Sequence, residues 1–76
     1  MEKKEQKNIS WETVHNTAER CMWHIFPNGL RVLTDWNTRF VYLIDERDKT
    51  IEKRSATDFT IHSYEEYLKT VAGYKL

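Results

Sequence analysis

The chain's single proline, Pro27, is followed directly by Asn28 and Gly29, and this tripeptide separates two kinds of pattern. Upstream of it, the apolar residues Trp11, Val14, Ala18, Cys21, Met22 and Ile25 recur at spacings of three and four. Stepped at about 100° per residue they gather on one face, opposite Glu12, Thr13, Asn16, Thr17, Glu19 and Arg20, as in an amphipathic helix. Ser10 stands where an N-cap is wanted, Pro27 biases Phe26 away from helical angles, and Asn28-Gly29 tolerates positive φ. The rival reading makes CMWHIF and LRVLTD the arms of a hairpin around Asn-Gly, with Pro27, which has no N–H for a ladder, beside the turn. The longer periodic pattern predicts a helix from Trp11 to Ile25, with Cys21, Met22 and Ile25 in the core and Trp23 and His24 facing out. In a strand, Cys21, Trp23 and Ile25 would instead share one sheet face, and Trp23 would leave the binding set described below.

Downstream of Gly29 the pattern is that of strands. LRVLTD and RFVYLID are rich in β-branched and aromatic residues, with Trp36-Asn37-Thr38 as the turn between them. Glu46-Arg47-Asp48-Lys49 makes the next turn, and TIEKRS a third strand whose Lys53 and Arg54 suit a sheet edge. Ser63 as cap with Glu66 three residues on predicts a last helix carrying Tyr64, Tyr67, Leu68 and Val71 on one stripe and ending at Gly73. Phe59 and Ile61, in the link before it, alternate and are expected to point inward. The fold class expected is therefore α+β: an N-terminal helix, a three-stranded antiparallel meander and a C-terminal helix closing a two-layer sandwich. Residues 1–9, polar but for Met1 and Ile9, are expected to form a flexible tail, and 10–76 one small domain.

With 76 residues the chain sits near the lower size for folding without disulfides or metal, which disfavours a deep catalytic cleft. One cysteine excludes an internal disulfide and suits a reducing, cytoplasmic setting. No stretch has the length and apolarity of a membrane span, and the lysines near the N-terminus precede no apolar run of a secretory signal. Two glycines cannot write a phosphate loop or a dinucleotide fingerprint. Cys21-x-x-His24 places a thiol and an imidazole one helical turn apart, but no second ligand pair accompanies them, so neither a metal site nor a cofactor is expected. The thiol lies in no activating motif, and we expect no enzyme.

Two binding readings remain. Phe40-Val41-Tyr42-Leu43-Ile44 is apolar on both faces, so either both faces of the sheet are covered or one is free for a partner. A protein-binding surface of Trp23, Trp36, Phe40, Tyr42 and Ile44, with Arg31 and Arg39 at its rim, would suit a target protein or a homodimer. The function expected is that of a small regulator or inhibitor acting by contact, of the type carried by phages and mobile elements. The alternative is a nucleic-acid-binding module using Arg47, Lys49, Lys53 and Arg54 along the sheet edge. Its order of elements resembles that of double-stranded-RNA-binding domains, whose basic helix start is here replaced by Tyr64-Glu65-Glu66-Tyr67. Twelve basic against twelve acidic residues give no net field to draw nucleic acid in.

Overall fold

A computed structural model describes residues 11–74. Five strands, β1 (Glu12–Asn16), β2 (Cys21–Ile25), β3 (Arg31–Asp35), β4 (Phe40–Ile44) and β5 (Thr50–Ser55), form one antiparallel sheet in the order β1-β2-β3-β4-β5. A 3-10 turn at Ala56–Asp58 leads into the helix α1 (Ile61–Ala72). The architecture is α+β, but the expected N-terminal helix and three-stranded meander are overturned: Trp11 to Ile25 supplies the first two strands of a five-stranded meander, folded as the β1–β2 hairpin. The double-stranded-RNA-binding order of elements falls with that helix. The proposed tail, residues 1–9, lies outside the described residues.

The reason lies in Pro27 and in what the helical pattern left out. Phe26 and Leu30 close the β2–β3 hairpin, with Phe26 N–H donating to Leu30 O at 3.0 Å and Gly29 N–H to Phe26 O at 3.1 Å. Pro27 opens the three-residue loop, where a fixed φ is an asset and no ladder N–H is required; Gly29 takes φ 94°. Read with a period of two, Met22, His24 and Phe26 share one face of β2, and His24 and Phe26 are buried at 5% and 3% exposure. The helical reading had turned His24 outward and left Phe26 beyond the helix, while its Val14 and Ile25 prove exposed. A run of threes and fours arose from two short strands and a turn.

The other hairpins repeat one device. Asn16 Oδ1 accepts Glu19 N–H at 3.0 Å, and Asp35 Oδ1 accepts Asn37 N–H at 2.9 Å. The loops that follow these residues end on Arg20 (φ 57°) and Arg39 (φ 65°), and the β4–β5 loop carries Asp48 at φ 64°. Each is a side-chain-bearing residue in the left-handed region that glycine fills without strain. Between Leu43 and Ile44 the β4–β5 register skips Ile51, a bulge in the edge strand.

On one side of the sheet Val32, Val41 and Leu43 meet Leu68 and Val71 of α1, with Phe26 and Leu30 completing the core and Trp11, Phe59, Tyr64 and Tyr67 around it. The helix begins one turn earlier than its sequence cap suggests. Thr60 is the N-cap, its hydroxyl accepting Ser63 N–H while Ser63 Oγ accepts Thr60 N–H, so Ser63 is the far partner of the capping box. Ile61, expected inward, is 93% exposed at the first helical position, whereas Phe59 packs against Tyr64 and Tyr67. Gly73 ends the helix, and Asn28 of the β2–β3 loop reaches its last carbonyls, donating to Val71 O at 2.9 Å.

The left-handed loop positions give a test with opposite signs. Gly29→Ala is expected to cost on the order of 1–2 kcal/mol, and Arg20→Gly to stabilise by about 1 kcal/mol, both read from urea midpoints at unchanged slope.

Candidate functional site

Alternation along paired strands sorts every sheet residue to one face, and the face away from α1 has no covering layer among the described residues. The register aligns Val14, Trp23, Leu33, Tyr42 and Lys53 in a row across all five strands. Glu12, Ile25, Arg31, Ile44 and Thr50 form the row on one side of it, and Asn16, Cys21, Asp35, Phe40 and Ser55 the row on the other. Val14 and Ile25 are exposed, Trp23, Leu33, Phe40 and Tyr42 half-buried, and Cys21 and Ile44 buried among their neighbours. Val14, Trp23, Ile25 and Arg31 line a shallow depression of about 240 Å³.

Cations hold the rings in place. The Arg31 guanidinium lies 5.7 Å from the Trp23 ring centre, donates to Asp45 O at 2.9 Å and pairs with the Asp48 carboxylate. Lys53 Nζ sits 4.4 Å from the centre of Phe40, whose ring leans on Tyr42. The Asp45 carboxyl, anchoring this corner, is held below the usual carboxylate range chiefly by the Lys49 N–H and then by that of Arg47.

Of the residues expected to bind protein, Trp23, Arg31, Phe40, Tyr42 and Ile44 therefore lie on the same face. Trp23 reaches it by the strand route, on which it was to be set aside; the strand does pair it with Cys21 and Ile25, but α1 covers the other side. Trp36 is elsewhere. It stacks on His15 at 5.8 Å on the helix side and, with Met22, Tyr64 and Ile61, borders a separate pocket of about 260 Å³. Arg39 belongs to the β3–β4 loop. Val14, Ile25 and Leu33 were missed; a period-two reading of VHN, CMWHI and RVLTD would have found all three.

The basic residues of the alternative reading do not share a surface. Arg47 and Lys49 lie in the β4–β5 loop, Lys53 on the uncovered face, and Arg54 on the helix side, 5.2 Å from the centre of Tyr67 and 5.8 Å from that of Phe59. Arg54 Nε also pairs with Glu52 at 3.1 Å, and Glu52 accepts the Tyr67 hydroxyl at 3.0 Å. Burial and the Glu52 carboxylate push the Tyr67 hydroxyl well above its ordinary range.

Cys21 and His24 lie on opposite faces of β2 and cannot meet one ion. Among the described residues no three His, Cys, Asp or Glu side chains gather as metal ligands would. Burial, then Glu19 and Asp35, raises the Cys21 thiol, which keeps it protonated and unreactive. No helix among the described residues is long and apolar enough to cross a membrane. Compared with protein-family models, curated proteins and solved structures, the chain matches none.

His24 has a structural task instead. Its Nδ1 lies 3.1 Å from Thr13 Oγ1 and its ring packs against Trp11 and Tyr64, while Nε2 is buried with no partner. Burial first, and the His15 charge second, lower its pKa. The tautomer with Nδ1–H donating to Thr13 leaves a lone pair rather than an N–H unsatisfied in the core, the smaller penalty. Because the folded pKa lies below the unfolded value of about 6.5, the unfolded chain takes up the proton first on acidification. Stability from this site is thus complete above about pH 6.5 and falls as pH drops towards the folded pKa. Urea unfolding at pH 7.5 and 5.0 should show this loss, and His24→Leu should show a smaller one.

Proposed function

We propose that the protein is a non-enzymatic regulator or inhibitor that acts by direct contact with another protein, through the sheet face that α1 leaves uncovered. The observation that carries the reading is the row Val14, Trp23, Leu33 and Tyr42, flanked by Ile25, Phe40 and Ile44: apolar side chains from four neighbouring strands on one surface. Such a patch is costly to leave in water unless a partner removes it. Trp, Tyr and a rim arginine are also the residue types that dominate binding energy at protein interfaces. The half-buried rings are held by Arg31 and Lys53, so little side-chain freedom is lost on docking. A lone cysteine, which can form no internal disulfide, accords with a reducing compartment.

The nucleic-acid reading draws on the same rings, since sheet aromatics beside cations can stack on bases. Against it stand the zero net charge and the placing of Arg54 on the helix side, paired with Glu52.

Affinity capture from cell extract, followed by titration of the captured protein, tests the assignment. Trp23→Ala and Tyr42→Ala are expected to weaken binding by about thirtyfold each, and Trp36→Ala, on the other side, to change it little. Affinity should vary weakly with salt. Unchanged affinity in both face variants refutes the proposed surface, and a steep loss with salt together with a nucleic-acid shift favours the second reading.

A further inference from the structure

The uncovered face has a symmetry that points to its first occupant. Its central strand, β3, carries a cation at one end, Arg31, which also pairs with Asp48 of the β4–β5 loop, and an anion at the other, Asp35, whose Oδ1 also accepts Asn37 N–H, with Leu33 between them in the middle row. Take a two-fold axis lying in the plane of the interface and running across the strands along that middle row. Turning one copy about it lays β3 antiparallel over β3 of a second copy, so that each Arg31 meets the other copy's Asp35 and each Leu33 meets its counterpart. Trp23 and Tyr42 then pack with their own images, and Ile44 falls against Phe40 of the other copy. An axis along the strands does the opposite, setting Arg31 on Arg31 and Asp35 on Asp35. One of the two simple face-to-face arrangements is thus complementary in charge and the other repulsive.

We propose that this face joins two copies of the chain into a face-to-face sheet dimer with an Arg31–Asp35 cross-pair at each end of the central strand and Leu33 on the axis between them. The proposal rests on the reading of the face as a protein interface and names a second copy as its resting occupant, which a target protein would have to displace. Zero net charge leaves no overall repulsion between copies. Stacked sheets pack with strands about 30° from alignment, which offsets the two Lys53 side chains at the β5 edge instead of opposing them. Five strands about 4.8 Å apart and five residues of about 3.4 Å give roughly 400 Å² of plane per copy. Summed over both copies this is about half the area of a standard interface, so the dimer is weak and reversible and dissociates on dilution.

Sedimentation of the native protein across a concentration series is the first measurement, and a monomer up to millimolar concentration overturns the proposal. Given a dimer, R31D and D35R each place like charges at both cross-pairs, and each is expected to raise the dissociation constant at least tenfold. Mixed together they restore opposite charges at both pairs and should form a heterodimer, a rescue that simple damage to folding would not give. Failure of the mixture to pair, or single variants that dimerise like the native chain, overturns the arrangement. L33K, in the middle row, should also yield a monomer, and a dimer that tolerates it lies on another surface. A monomeric native protein whose partner capture still depends on Trp23 and Tyr42 would sink the dimer alone. A dimer whose partner capture ignores both would sink the regulatory reading instead.

Discussion

A single helix of 12 residues spans roughly 18 Å and about 10 Å of width, whereas a five-stranded sheet is about 20 Å across and has two faces. Much of what is distinctive in the molecule follows from that shortage of cover. On the side α1 occupies, Leu68 and Val71 reach only the middle of the sheet, over Val32, Val41 and Leu43. Large rings fill the margins: Trp11 against Phe26 towards β1, and Phe59 and Tyr67 under the Arg54 guanidinium towards β5. A small domain without disulfides needs such side chains, because each removes a large area from water. The far side receives no helix among the described residues, and its apolar rows are half-exposed there.

The helix is also tied down by the loop that formed the first constraint in the sequence. Pro27 and Gly29 shape the β2–β3 turn, and Asn28 between them turns its amide on the last carbonyls of α1 while its Oδ1 accepts Leu30 N–H at 3.1 Å. At the other end Thr34 and Tyr64 join sheet to helix through their hydroxyls, 2.6 Å apart. Both polar contacts satisfy groups at the margin of the core, and the core between them is apolar. The turn therefore fixes hairpin register and helix position together.

How far these features could be read from sequence depended on which periodicity was short and which was long. LRVLTD, FVYLI and TIEKRS were recognisable as strands because β-branched and aromatic runs lay between unmistakable turns, and the Tyr64, Tyr67, Leu68, Val71 stripe marked the last helix. The β1–β2 hairpin was not recognised because two five-residue strands and a four-residue loop happen to place Trp11, Val14, Ala18, Cys21 and Ile25 at helical intervals. The discriminating residues were His24 and Phe26, an imidazole and a ring before proline, which the helical reading discarded and the core uses. For the candidate surface, Phe40, Tyr42 and Ile44 were legible from two-sided apolarity alone. Their companions Val14, Ile25 and Leu33 needed a period-two reading of VHN, CMWHI and RVLTD, which the helical assignment of residues 11–25 displaced for the first two.

The sheet's edges bear on how such a molecule associates. β5 is bulged at Ile51 and presents Lys53 and Arg54, and β1 is a short strand with Glu12 and His15, all features that discourage another strand from adding to the ladder. The interior rows of the uncovered face have no such guard: from Val14 to Tyr42 the middle row is apolar, and the two charges of β3 stand at opposite ends. Strand addition reads backbone and is indifferent to most side chains, whereas face packing reads side-chain shape and the placement of charge. With the edges disfavoured and the face open, association is directed to the mode that can discriminate between partners. That selectivity is what the contact-based regulation we propose would require.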